Sequence, residues 1–187
     1  MKQIAIFASG RGSNAEAIIE YFRNKDSVKV ALIITNNPDA GVLKIAARNK
    51  IISAIVTPQG LQNEKLMLGM MEALNIEFII LAGFLKLVPG FLLQRYPKHI
   101  INIHPALLPK YGGKGMYGMK VHEAVLADKE TETGITIHYV NEKYDEGEVI
   151  LQRKVTIAAT DNPETLANKI HQLEHEWYPR TIEGLVG

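Results

Sequence analysis

The sequence predicts an α/β fold with a doubly wound, mostly parallel sheet and an antiparallel C-terminal hairpin. Short apolar runs typical of buried strands alternate with segments of helical periodicity along the first part of the chain. This alternation has the spacing of βαβ units, whose consecutive strands run parallel. Nearer the C-terminus, two strand-like runs follow each other without a helix between them, which is typical of a hairpin. We therefore expect a Rossmann-like arrangement with an antiparallel edge.

Five parallel strands and the helices between them are predicted in chain order. The strands are 4–8, 28–34, 54–56, 78–82 and 100–104. The first helix begins at Ser13. The next three helices are predicted over 40–49, 61–74 and 89–96. The third helix is indicated by Leu66, Met70 and Leu74 at four-residue spacing. The fourth has a proline in its first turn, where the missing N–H costs no helical hydrogen bond.

The C-terminal part of the chain changes pattern. A helix is expected over 119–127, then strands over 136–140 and 148–152 with a short acidic turn between them. The segment 161–164 reads Asp-Asn-Pro-Glu, which has a capping side chain, an early proline and an acid in the first turn. The last helix is expected to end near Ile182. Because no repeat or linker interrupts the chain, we predict one domain over residues 1–187.

Composition limits the classes of function. A chain of 187 residues with a formal charge of +1 lacks the basic excess of a dedicated nucleic-acid surface. The absence of cysteine excludes disulfides and thiolate metal sites. No run reaches the roughly 18–20 apolar residues of a membrane span, and the first residues do not resemble a secretory signal. We expect a cytoplasmic protein that is a monomer or a weak homodimer, without nucleic-acid or membrane partners.

The loop between the first strand and the first helix is a candidate phosphate site. Residues 9–14 read Ser-Gly-Arg-Gly-Ser-Asn, and a helix N-terminus presents free N–H groups to an anion. The glycine spacing is not that of a dinucleotide fingerprint, and the Gly-Lys-Ser/Thr element of a P-loop is missing. The loop therefore favours a single phosphate over NAD. A tight structural turn with a capping side chain is the alternative.

Asn102 and His104 form the strongest candidate catalytic pair. Their two-residue spacing on an extended segment points both side chains to one face, and Pro105 prevents the segment from becoming helical. They lie at the carboxyl end of a strand, where open parallel sheets bind ligands. An amide and an imidazole so placed can stabilise an oxyanion and move a proton. The alternative is a buried structural histidine beside a turn-forming asparagine.

Asp145 lies in the acidic turn of the predicted hairpin. A carboxylate near His104 would raise the pKa of the imidazole. The alternative is a solvated Asp-x-Gly turn. His138, on the preceding strand, is a weaker candidate because its alternation with Ile137 and Val140 fits a packing position better.

Two further segments are candidates for substrate contact. The glycine-rich segment 110–118 carries two lysines and has the length of a loop that covers a substrate. On the last helix, His171 and His175 have the spacing of a metal-binding pair, but they lack the third ligand that a metal site needs. We therefore predict no metal and regard Glu174 as a candidate for contact with a substrate amine.

Taken together, these motifs resemble the folate-dependent formyltransferases. Within them, the chain is most similar to the glycinamide ribonucleotide formyltransferases of purine synthesis. The matching segments are 9–14, 81–86, 102–109 and 145–152, together with Glu174-His175 and Tyr178-Pro179. Many relatives carry an arginine after the third strand, but 57–65 contains none, so no residue is assigned there.

The resemblance implies transfer of the formyl group of 10-formyltetrahydrofolate to the amine of glycinamide ribonucleotide. It implies that Asn102 and protonated His104 stabilise the intermediate, that His104 donates a proton, and that Asp145 raises the pKa of His104. The implied substrate-binding residues are Gly12, Ser13, Asn14, His171, Gln172, Leu173 and Glu174. The implied folate-binding residues are Leu85, Lys86, Leu87, Val88, Asn102, Asn141, Glu142, Lys143, Tyr144 and Asp145.

Other functions remain open at this point. Methionyl-tRNA formyltransferases normally carry a further C-terminal domain, and formyltetrahydrofolate hydrolases an N-terminal regulatory domain. Neither extension fits within 187 residues. A non-catalytic module that binds folate or a nucleotide phosphate would bind ligands without forming product.

Overall fold

The computed structural model describes residues 1–186 and contains a seven-stranded sheet of order β3-β2-β1-β4-β5-β6-β7. Strands β1 to β5 are parallel, β6 is antiparallel to β5, and β7 is antiparallel to β6. The predicted fold class is therefore confirmed. The strands are β1 (Lys2–Phe7), β2 (Val28–Thr35), β3 (Ile52–Ile55), β4 (Ile76–Leu81), β5 (Ile100–His104), β6 (Glu132–Tyr139) and β7 (Val149–Thr156).

Helices cover both faces of the sheet. Successive residues of a strand point to opposite faces, and in the central strands both sets of residues are apolar and need to be buried. On β1, Ile4 and Ile6 belong to one buried cluster, and Ala5 and Phe7 belong to the other. Helices α1, α2 and α7 contribute to the first cluster, and α4 and α5 contribute to the second. The helices are α1 (Ser13–Phe22), α2 (Val42–Arg48), α3 (Pro58–Leu61), α4 (Glu64–Ala73), α5 (Gly90–Arg95), α6 (Met119–Ala127) and α7 (Pro163–Val186).

The predicted helix over 61–74 is two helices in the structure. Asn63 interrupts it, because its side chain accepts a hydrogen bond of 3.0 Å from the N–H of Leu66 and so caps α4. The fully buried residues of α4 are Met67 and Met71. Each follows by one position a residue of the predicted apolar face, Leu66 or Met70. In place of the short predicted hairpin turn, the structure has a loop over 140–148. At their ends away from this loop, both hairpin strands are four residues longer than predicted: β6 begins at Glu132 and β7 ends at Thr156.

Three strand ends meet where the strand order reverses around β1. The carboxyl ends of β1, β4 and β5 lie at one edge, the place where open α/β sheets bind ligands. The buried hydroxyl of Tyr178 on α7 donates to the carbonyls of Leu81 and Ile101, at 2.9 and 3.2 Å. This contact fixes α7 beside the end of β4 and the first residues of β5.

Among the described residues, no helix combines the length and apolarity needed to cross a membrane.

Candidate active site

A cleft of about 710 Å³ opens at this edge of the sheet. Loops after β1 and β4, the long loop between β5 and α6, the β6–β7 loop and one face of α7 all contribute to its wall. The lining residues lie within 10–14, 81–88, 102–105, 113–119 and 143–145, with His122, His138, Val140, Asn141, Ala167, His171 and Glu174. The cleft therefore brings together most of the motifs that the sequence analysis identified separately.

Asp145 lies at the centre of a polar cluster in this cleft. Its Oδ1 is 3.4 Å from Nδ2 of Asn102, and its Oδ2 is 3.5 Å from Nδ1 of His104. The N–H of Gly113 donates to Oδ2 at 2.9 Å, which ties the glycine-rich loop to this carboxylate. The predicted trio of amide, imidazole and carboxylate is thus gathered at one place, as its catalytic interpretation requires.

His138 joins the same cluster, although its sequence pattern favoured a packing position. Strands β5 and β6 pair so that His138 lies opposite Asn102. Its Nε2 accepts a hydrogen bond of 3.2 Å from Asn102 Nδ2 and is 3.6 Å from Oδ1 of Asp145. The ring is buried, as predicted, but it also lines the cleft.

The backbone of the β6–β7 loop is constrained where it presents Asp145. Asp145 has a φ of 57°, in the left-handed region that few residues other than glycine adopt. Gly147 follows two residues later, and any side chain there would collide with the carbonyl of Tyr139. Aspartate adopts this conformation more readily than most residues, so the loop can hold its carboxylate in the cleft.

The backbone carbonyl of Tyr111 orients the His104 ring. His104 is 4% exposed, and its Nε2 donates to this carbonyl at 2.7 Å. This bond places the proton of the neutral ring on Nε2 and leaves the Nδ1 lone pair toward Asp145. Tyr111 is itself held by its hydroxyl, which is 2.8 Å from Asp128 Oδ2 and 2.9 Å from Glu130 Oε1.

Burial lowers the pKa of His104, because desolvation of the ring outweighs the raising effects of the Asp145 carboxylate and the Tyr111 carbonyl. The contribution of Asp145 has the direction that the sequence predicts, but desolvation is the larger effect. The pKa of Asp145 is lowered: burial alone would raise it, but the contacts with His138, His104 and the Gly113 N–H together prevail. The resting pair is thus a carboxylate beside a neutral imidazole.

The first turn of α1 forms the candidate phosphate end of the cleft. Gly12 caps the helix with a φ of 86°, and a Cβ there would lie 2.8 Å from the Cβ of Val42. Glycine is therefore required at this position. Ser13 and Asn14 follow in the first helical turn and also line the cleft. Their backbone N–H groups have no helical acceptor, which suits an anionic group.

Glu174 on α7 is a buried carboxyl group beside this phosphate end. It is 5% exposed, and its Oε2 accepts a hydrogen bond of 3.0 Å from Asn14 Nδ2. Burial raises the pKa of Glu174 to about 7, and the hydrogen bond from Asn14 only partly opposes this effect. The group thus changes charge near neutral pH, in a position from which it can contact a ligand in the cleft.

We expect Glu174→Gln to make folding stability less dependent on pH. Above the ordinary pKa of 4.5 and below about 7, the folded protein keeps a proton that the unfolded chain has released. Stability therefore falls as the pH rises through this interval. At about pH 8 the variant should be more stable than the wild type by roughly 2–3 kcal/mol, and below about pH 4 the two should be similar.

Denaturant unfolding at both pH values measures this difference. Glu176→Gln is the matched control, because Glu176 is an exposed carboxylate on the same helix that pairs with Arg180. It should show no comparable pH-dependent gain. Equal stabilities of the wild type and Glu174→Gln at about pH 8 would mean that the Glu174 carboxylate is not desolvated.

Apolar side chains form the opposite wall of the cleft. Leu85 is 45% exposed and Leu87 is 43% exposed, directly after the end of β4. Tyr117 and Met119, at the end of the glycine-rich segment and the start of α6, are also large, exposed and part of the lining. Exposed apolar side chains that converge on one cleft indicate a ligand-binding surface.

Three residues assigned from the resemblance do not reach the cleft. Gln172 is exposed, and Leu173 packs against the hydrophobic core. Four consecutive residues of a helix point in different directions, so they cannot all face the cleft. Ala167, His171 and Glu174 share the face that lines the cleft. In the β6–β7 loop, Glu142 is exposed and absent from the lining. The other assigned residues all line it.

Arg11 and His122 line the cleft but were not assigned from the sequence. Arg11 lies inside the phosphate loop and lines the cleft. The prediction of a phosphate site rested on the glycines and the Ser-Asn pair of that loop, so Arg11 was not assigned. His122 is on α6 and matches no local motif, so only tertiary packing reveals it. Within residues 1–186, no group of three or more His, Asp or Glu side chains is arranged to hold a metal ion.

Comparison with known proteins agrees with this architecture. The profile of the formyl transferase family matches residues 2–182. A phosphoribosylglycinamide formyltransferase from Bacillus subtilis is 38% identical over 192 residues, covering 100% of this chain and 96% of that protein. The crystal structure of a phosphoribosylglycinamide formyltransferase from Bacillus halodurans superimposes with a TM-score of 0.89 at 37% identity, covering 100% of this chain and 96% of that one.

A chloroplastic phosphoribosylglycinamide formyltransferase from Arabidopsis thaliana is 41% identical over 189 residues. The alignment covers 97% of this chain but 64% of the plant protein, so the chain spans just under two thirds of that relative's length. The match of the family profile along nearly the whole chain is decisive: the chain belongs to the formyl transferase family.

Proposed function

We propose that the protein transfers the formyl group of 10-formyltetrahydrofolate to the primary amine of N1-(5-phosphoribosyl)glycinamide, a step of purine synthesis. One observation carries this proposal. A single cleft joins a helix N-terminus suited to a phosphate, the cluster of Asn102, His104 and Asp145, and an apolar wall. The names of the full-length bacterial relatives support the same reaction.

The nucleotide substrate would bind along the α1 and α7 side of the cleft. The N–H groups of Gly12, Ser13 and Asn14 would hold its phosphate. His171 and Glu174 would contact the rest of the nucleotide, since they line the same side. This orientation directs the amine of the substrate toward His104.

The folate would bind on the apolar side. Leu85, Lys86, Leu87 and Val88 line the cleft, and so do Asn141, Lys143 and Tyr144 of the β6–β7 loop. The exposed leucines can pack against the flat faces of the pteridine ring, while backbone groups of both segments can hydrogen bond to its polar edge. The formyl group would then lie beside Asn102 and Asp145.

The proposed chemistry begins with attack of the neutral amine nitrogen on the formyl carbon. A new C–N bond forms, and the electrons of the C=O π bond move to oxygen. The Asn102 amide donates to this oxygen, since its Nδ2 is already directed into the cluster. One N–H of this amide exchanges its present contact for the new one, and the 3.4 Å contact with Asp145 Oδ1 is the longer of its two contacts.

His104 then moves the proton. Its resting neutral ring takes up the proton that the amine nitrogen loses, and the imidazolium that forms is stabilised by the Tyr111 carbonyl and the Asp145 carboxylate. The oxyanion electrons then re-form the C=O bond, the C–N bond to the folate breaks, and the ring returns its proton to the leaving nitrogen. The products are formylated glycinamide ribonucleotide and tetrahydrofolate, and no net proton is consumed at the ring.

A turnover assay tests this function. Purified protein is mixed with 10-formyltetrahydrofolate, and release of tetrahydrofolate is followed with and without glycinamide ribonucleotide. The proposal predicts release that depends on the ribonucleotide. Release at the same rate without an acceptor would indicate a hydrolase, and binding of both ligands without any release would indicate a non-catalytic module.

Tyr111→Phe is expected to lower kcat by about three- to tenfold with little change in either KM, because a small misplacement of a catalytic group reduces rate. The change removes the hydroxyl contacts to Asp128 and Glu130 that hold the carbonyl against His104. Steady-state kinetics separates kcat from KM. Tyr21→Phe is the control, since it removes a tyrosine–carboxylate contact with Glu183 outside the cleft. An unchanged kcat in Tyr111→Phe would contradict the positioning role.

We also propose that residues 1–187 act as one formyltransferase domain in the cytoplasm, as a monomer or a weak homodimer. A continuous seven-stranded sheet supports a single domain. Sedimentation over a range of protein concentrations measures the state of association. A stable complex larger than a dimer would contradict this part of the proposal.

A further inference from the structure

His122 is a buried polar side chain that the proposed reaction leaves unused. It lies in the first half of α6, is 3% exposed, and lines the cleft. Its Nδ1 is sealed from solvent and has no hydrogen-bond partner among residues 1–186. Leaving a buried polar atom unpaired costs about 1–3 kcal/mol, so its presence in a binding cleft calls for a physical reason.

The position of the ring suggests that reason. Helix α6 packs against α7, whose Ala167, His171 and Glu174 line the same part of the cleft. His122 is close enough to both His171 and His104 for their charges to affect it. His104 belongs to the proposed transfer centre and His171 to the proposed nucleotide side, and His122 lines the cleft together with both.

The charge state of His122 suits a hydrogen bond to a neutral group. Burial first, and then the neighbouring His171 and His104 rings, lower its pKa to about 4. At neutral pH the ring therefore has one N–H donor and one nitrogen acceptor. Hydroxyl and amide groups provide matching partners, whereas a phosphate would favour a charged ring.

We propose that His122 binds the ribose and glycinamide portion of the nucleotide substrate through hydrogen bonds from its imidazole. This inference rests on the proposed function, since it assigns a contact within that substrate's site. It adds a residue on α6 to a nucleotide site otherwise formed by the phosphate loop and α7. Rotation of the ring about its Cβ–Cγ bond would direct Nδ1 into the cleft, where a hydroxyl or amide of the ligand would supply the hydrogen-bond partner that the protein does not.

His122→Leu tests the proposal. Because Nδ1 has no protein partner to lose, the variant should keep or exceed the wild-type melting temperature. Calorimetric titration with glycinamide ribonucleotide should show binding weakened by about tenfold, the effect of losing a typical hydrogen bond. Inhibition by inorganic phosphate and the KM for 10-formyltetrahydrofolate should change by less than about twofold. His99→Leu is the control, since it removes an exposed histidine outside the cleft.

Four outcomes are decisive. An unchanged affinity for glycinamide ribonucleotide in His122→Leu overturns the inference while wild-type turnover still supports the proposed function. Equal losses of folate and nucleotide binding with a lower melting temperature would also overturn it, because they indicate a packing role. If the leucine variant does not fold, His122→Asn is measured in the same way, and a selective loss of nucleotide affinity supports the contact. Absence of wild-type turnover rejects the proposed function itself.

Discussion

His104→Gln is expected to lower kcat by about 10³-fold, within the range that general acid–base catalysis contributes. Glutamine has an N–H donor that can replace the bond to the Tyr111 carbonyl, but it cannot take up and release a proton near neutral pH. The free energy of unfolding should therefore fall by no more than about 2 kcal/mol. Steady-state kinetics and denaturant unfolding of the same preparation measure both effects.

His99→Gln is the matched control, because it makes the same substitution at a histidine outside the cleft. It should leave kcat unchanged. A modest decrease in kcat for His104→Gln, together with a large loss of stability, would identify His104 as a structural residue. In that case the bond to the Tyr111 carbonyl would be the reason for the buried ring.

Asp145→Asn is expected to lower kcat by about 10²–10³-fold, because the imidazolium that forms on His104 loses its carboxylate partner. The amide oxygen of asparagine can still accept from the Gly113 N–H, so the glycine-rich loop should keep its position. Glu142→Gln is the matched control: it neutralises a carboxylate of the same loop that does not line the cleft. We expect wild-type turnover for this control.

The pH dependence of kcat gives a second readout for Asp145→Asn. The Asp145 carboxylate raises the pKa of His104, but the lowering of this pKa by burial is larger. Removing the carboxylate should therefore lower that pKa again. Because the resting ring must be neutral to accept a proton, the acid limb of the profile should move to lower pH. A limb that moves to higher pH would contradict the proposed order of proton transfers.

The parallel part of the sheet could be predicted because its central strands are apolar on both faces. Runs such as Ile4–Ala8 and Phe78–Ala82 are continuous, as buried parallel strands require. The interruption at Asn63 was missed, because the apolar spacing on either side of the cap continues as if the helix were unbroken. The hairpin loop was predicted too short, since exposed strand residues do not alternate clearly enough to define its ends.

The catalytic trio could be identified because each member stands in a local motif. Asn102 and His104 lie at a strand end before a proline, and Asp145 lies in a turn that ends in glycine. His138 and His122 could not be assigned, for different reasons. The first depends on the register between β5 and β6, and the second on the packing of α6 over the cleft. Neither relation is encoded in a short segment of sequence.

The protonation of His104 also lay beyond the sequence. The nearby carboxylate was the visible influence, whereas desolvation depends on how completely the ring is enclosed. A similar limit applied to α7, where a continuous segment was assigned but only residues on one face reach the cleft. Predictions of charge and of side-chain direction therefore needed the assembled fold.

Tracing the formyl carbon tests the central claim most directly. The protein is incubated with 10-formyltetrahydrofolate that carries an isotopic label in its formyl group, together with glycinamide ribonucleotide, and the products are separated. A direct transfer at the cluster of Asn102, His104 and Asp145 predicts that the label appears in the ribonucleotide, and that His104→Gln nearly abolishes this transfer. Label recovered as free formate, or transfer that persists at the wild-type rate in His104→Gln, would contradict it.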